Sequence, residues 1–158
     1  MRSTPISDSS AKTKAPLWTA LISPVWVACL LLLVVNDHVL KHLYPGALTG
    51  KLSDFAGLFI APALLALLLG VRSKRGLIAC GVAVGAVFSA INLSATAALL
   101  WDGAMSTLLL PFHTTVDPTD LLALPALALG VLHAMHHRQA QPVAKEATKE
   151  ISRRRPAL

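Results

Sequence analysis

Residues 36–58 read NDHVLKHLYPGALTGKLSDFAGL, and this short stretch gathers Asp37, His38, Lys41, His42, Lys51 and Asp54. An ammonium group can clamp an anion, and a carboxylate or imidazole beside it can move a proton. Asp37 and Lys41 stand four apart with the acid first, the favourable order for an ion pair on one helix face. His38 and His42 share the neighbouring face. Further along, Asp117, Pro118 and Asp120 form a helix start, with an N-cap acid, proline in the first helical position and a second acid where the helix dipole favours it. The candidate polar set is therefore Asn36, Asp37, His38, Lys41, Lys51, Asp54, Asp117 and Asp120. Each also has a plainer role as an interfacial cap or a stabilising ion pair.

Nothing in the chain names a reaction. No GxSxG, HExxH, P-loop or CxxC string occurs, so the catalytic residues are unknown and no cofactor is expected. His133, His136 and His137 have the spacing of a metal-binding face, but they close a helix, where the dipole favours imidazoles, and no metal is expected there. Cys29 and Cys80 lie inside apolar runs and read as small buried hydrophobes.

The elements that must hold the polar set are apolar. With 54% hydrophobic residues, 14% charged residues and a mean hydropathy of +0.63, the chain is built for a bilayer. Residues 17–35 carry no charge and span roughly 28 Å as a helix, about the hydrocarbon thickness. They exceed a signal-peptide core and no small-x-small cleavage pattern follows. The pattern predicts an all-α integral membrane four-helix bundle, with spans at about 17–43, 53–71, 77–101 and 118–137. Ser53 or Thr49 is the expected cap of the second span, and Pro62 and Pro125 should bend the second and fourth. In the third run Gly81, Gly85 and Ser89, continued by Asn92 and Thr96, form the small and polar stripe that lets helices approach and bond across an interface. Residues 102–120 are expected to be a loop. Residues 1–16 are poor in apolar side chains and 138–158 are polar and basic, which predicts disordered cytoplasmic tails around the 17–137 membrane domain.

Twelve of the fourteen Lys and Arg fall in the tails or in the turn at 72–75, leaving Lys41 and Lys51 on the other side. The positive-inside rule then puts both termini in the cytoplasm and the polar set at the outer face. The basic residues have no interleaved aromatics, which argues against nucleic acid as a partner. The partners expected are the lipid bilayer and, at the outer face, a small polar or anionic ligand or an envelope component.

NDHVLK (36–41), LTGKLSDFAGLF (48–59) and DPTDLLALP (117–125) resemble the signature strings of a family of small bacterial multi-pass inner-membrane proteins. The resemblance covers the four-span core and implies a location in the bacterial inner membrane. It brings no catalytic residues with it. The expectation is a non-enzymatic protein that binds or passes a small polar or anionic ligand, or a partner, at its outer face. One alternative is a membrane-embedded enzyme acting on a lipid or envelope head group, with Asp54 or His38 as acid or base and Lys41 or Lys51 as the anion clamp. Another is a membrane immunity or assembly factor.

Overall fold

The computed structural model describes residues 16–108 and 113–138. The expected tails lie outside them, except Pro16 and Arg138, as do residues 109–112 of the expected loop. A single helical turn, α1 (Trp18–Leu21), leads into α2 (Pro24–Leu43). Then follow α3 (Ala47–Leu68), α4 (Lys74–Leu93), α5 (Ala95–Leu108) and α6 (Pro118–Arg138). Among the described residues there is no strand, and α2, α3, α4 and α6 are each long and apolar enough to cross a membrane. The expected all-α architecture with four long apolar helices is therefore present.

Packing is inside-out relative to a water-soluble bundle. The centre is built of small residues, with Ala20, Ala63, Ala66, Ala123 and Ala134 essentially inaccessible, whereas Leu68, Val82, Leu122, Leu129 and Leu132 point outward. Lipid offers large apolar side chains as good an environment as a neighbouring helix does, so association relies on small residues that allow close contact. α3 is the central element and packs on α2, α4 and α6. The tightest approach is at Gly130, where a Cβ would collide with the backbone carbonyl of Phe59 on α3. Gly81 and Gly85 face Leu124, Leu127 and Val131 of α6, so the glycine stripe does point into the bundle.

Several boundaries differ from the sequence reading. The first run breaks at Ser23, whose extended backbone and side chain cap α2 at Trp26 N, with Pro24 in the first turn. α3 starts at Ala47 rather than 53, and neither Thr49 nor Ser53 caps it; both lie inside the helix. It ends at Leu68 because Gly70 takes a left-handed φ of 64° while Gly70 N and Val71 N bond back to the carbonyls of Leu67 and Ala66. The long third run is two helices, since Ser94 is extended and its hydroxyl accepts from Ala97 N at the head of α5. That break takes Thr96 off the stripe and leaves it exposed, and Asn92 bonds to Phe88 O on its own helix rather than across the interface. Helix α5 occupies the first part of the expected 102–120 loop. Helix α3 is continuous through Pro62, and Pro125 lies just beyond the point where the 3₁₀ turns of Pro118–Ala123 give way to α-helix.

Candidate functional site

The polar end of the bundle is assembled where α2, α3 and α6 meet. Over Asn36–Leu40 the helix widens into a π-turn, a feature that recurs at functional sites. Asn36 is fully buried and is among the largest side chains so placed. Its Nδ2 donates to the Thr49 carbonyl and to Ser53 Oγ, both at 2.6 Å. The Thr49 carbonyl can only accept, which fixes the amide orientation and leaves Asn36 Oδ1 buried without a partner. Ser53 Oγ in turn donates to Asp37 Oδ1 at 2.5 Å, and Lys41 Nζ pairs with the same oxygen at 2.8 Å. A single network thus runs from the α3 backbone through Asn36, Ser53 and Asp37 to Lys41.

A second network ties α3 to α6. Lys51 Nζ donates to Thr119 Oγ1 at 2.6 Å and to Asp120 Oδ1 at 2.7 Å, with Asp117 Oδ2 at 3.8 Å. Asp117 caps α6 as expected, accepting from Thr119 N at 2.8 Å and Thr119 Oγ1 at 2.6 Å. These bonds, the hydroxyl's first, hold the Asp117 carboxyl below its ordinary range. Asp102, after the end of the third apolar run, is held low in the same way by the Thr114 hydroxyl and then by its backbone N–H.

The three sequence strings therefore meet in space. Lys51 pairs across helices, whereas Lys41 pairs with Asp37 on its own helix. Asp54 is half-buried within electrostatic reach of Asp37, Lys41, Lys51 and Asp120, yet it makes no hydrogen bond among the described residues. His38 is exposed and joins neither network. Sequence reasoning missed the bridging roles of Thr49, Ser53 and Thr119. The first two look like helix caps in sequence, and Thr119 carries no signal of its own.

Elsewhere, Ser23 Oγ and His133 Nε2 are 2.7 Å apart, and the His133 ring lies against Phe59 and His137, with ring centres 5.4 and 4.5 Å away. His133 thus serves as a contact between α6 and the start of α2. Cys29 and Cys80 are free thiols. A cavity of about 480 Å³ lies between α3 and α4, beneath Trp101 of α5. Leu58, Leu64, Val84 and Phe88 are among its walls, and none of the polar-end residues lines it.

These features define a class, that of helical proteins with four candidate membrane spans and a polar network across one end. Comparison with protein-family models, with curated proteins and with solved structures found no match.

Proposed function

We propose that this is a multi-pass bacterial inner-membrane protein with both termini cytoplasmic, whose polar end faces outward and binds or passes a small polar ligand without reacting with it. The supporting observation is the distribution of open valences in the cluster. Both ammonium groups are engaged, Lys41 by Asp37 and Lys51 by Asp120. An anion there would have to share an ammonium whose charge a carboxylate already balances. Apart from the exposed His38, the unpartnered polar groups of the set among the described residues are the half-buried Asp54 carboxylate and the buried Asn36 Oδ1, and both are acceptors. Four carboxylates, Asp37, Asp54, Asp117 and Asp120, face two lysines there. The complementary ligand therefore brings N–H or O–H donors and positive charge, in place of the anionic ligand also expected from the sequence.

Thermal unfolding of the full-length protein in detergent tests this, with ethylamine, choline, acetate and inorganic phosphate added at equal ionic strength. The amines should raise the melting temperature of the wild type, and Asp54→Asn should lose that shift. Stabilisation by the anions alone, or an amine shift that persists in Asp54→Asn, would overturn the reading.

A further inference from the structure

The opposite end of the bundle holds a site of opposite charge. Arg138, at the end of α6, is only 5% exposed, and its guanidinium has one partner among the described residues: Nη2 donates to the carbonyl of Arg72. Among the described residues its Nε and Nη1 are buried with no acceptor. A buried cation with empty donors is strongly unfavourable unless an anion meets it.

The surroundings supply the rest of an anion site. The bond to Arg72 places the guanidinium at the 72–75 turn, where Arg72, Lys74 and Arg75 are all exposed. None of the ion pairs among the described residues involves any of these four cations. Helix α4 begins at Lys74 behind its Ser73 cap, so the positive end of a 20-residue helix dipole lies at the same turn. The turn also sits where α3 and α6 end and α4 begins, which is head-group level for helices that cross a bilayer.

We propose that this turn is a binding site for a phosphate oxyanion, with Arg138 Nε and Nη1 as the inner donors and Arg72, Lys74 and Arg75 as the outer ring. The 72–75 turn swings off Arg138 to admit it, which breaks one hydrogen bond and gives the empty donors an acceptor. The site is separate from the polar end and does not depend on the function proposed for it.

The test is the melting temperature of the full-length protein in detergent, titrated with short-chain phosphatidylglycerol, short-chain phosphatidylcholine, inorganic phosphate or chloride at matched ionic strength. Phosphatidylglycerol should stabilise the wild type well beyond phosphatidylcholine and chloride. Arg138→Gln should weaken that effect about tenfold or more, as expected for losing a charge-assisted contact. Lys74→Gln/Arg75→Gln, which alters only exposed side chains, should weaken it as well and keeps the test open if Arg138→Gln does not fold. Stabilisation by phosphatidylglycerol but not by inorganic phosphate assigns the site to a lipid head group, and stabilisation by both assigns it to phosphate groups in general. Equal shifts from phosphatidylglycerol, phosphatidylcholine and chloride would overturn the proposal, as would a full phosphatidylglycerol shift in both variants.

Discussion

Gly130→Ala should loosen the bundle at its tightest point. A Cβ there would overlap the Phe59 carbonyl oxygen and approach the Phe59 carbonyl carbon and Cα at 2.9 and 3.0 Å. These are backbone atoms inside α3, so no rotamer change relieves the clash. Restoring ordinary contact requires α3 and α6 to separate by roughly 1 Å, since carbon atoms pack best at about 3.5 to 4.0 Å. The separation also weakens the neighbouring contact of His133 with Phe59. Overpacking of this kind costs about 1–3 kcal/mol, and a chain of this size loses about 2–4 °C of melting temperature per kcal/mol. The expected drop is therefore roughly 2–12 °C in a thermal melt of the detergent-solubilised protein. Gly57→Ala is the control, because a Cβ at Gly57, also on α3, meets nothing within 4 Å. It should be neutral or slightly stabilising, as alanine favours the helix. Equal melting temperatures for the two variants would refute the close packing of α6 on α3.

Asn36→Ala removes two hydrogen bonds from a fully buried side chain and should cost roughly 1–3 kcal/mol in the same melt, whereas exposed Thr96→Ala should stay near wild type. Asp102 and Asp117 have depressed folded-state values. Their contribution is therefore fully present above the ordinary carboxylate value of about 3.9 and is lost as pH falls through the lower folded value. Melts from pH 6 down to pH 2.5 should show Asp102→Asn below wild type at the upper end and converging with it at the lower end; a constant gap would contradict the bonded carboxylate. For orientation, a periplasmic reporter fused after Gly103 should be active and one fused after Lys74 silent, and the reverse pattern would invert the proposed topology.

How far the sequence could be read depended on the range of the forces involved. The length and apolarity of the runs were enough to place four helices, because spanning a bilayer imposes both on each run separately. The start of α6 was readable because Asp117 and Pro118 act on the local backbone alone. The break at Ser94 was not, because its neighbours are all apolar and hydropathy cannot distinguish one long helix from two short ones. The end of α3 was placed at 71 rather than at Leu68 for a related reason, since Gly70 stops the helix through its backbone conformation inside an apolar run. The π-turn at Asn36–Leu40 leaves no local signature, yet it accompanies the burial of Asn36. Asp37, Lys41, Lys51 and Asp54 were identifiable by charge alone. The Asp37–Lys41 pair was readable from its spacing, but the bridging hydroxyls were not, because Ser53 and Thr119 gain their roles only when helices distant in sequence come together.

The central claim is that the strings LTGKLSDFAGLF and DPTDLLALP form one site through Lys51. It is tested most directly by a double-mutant cycle of Lys51→Met and Asp120→Asn, read as melting temperature, with Lys74→Met as the exposed reference. Lys51 contacts Asp120, Thr119 and Asp117, so Lys51→Met should lower the melting temperature more than Lys74→Met. The Lys51→Met/Asp120→Asn double variant should lose clearly less than the two single losses combined, because each single change already breaks the shared contact. Strictly additive losses, with Lys51→Met no worse than Lys74→Met, would mean that α3 and α6 do not share this site.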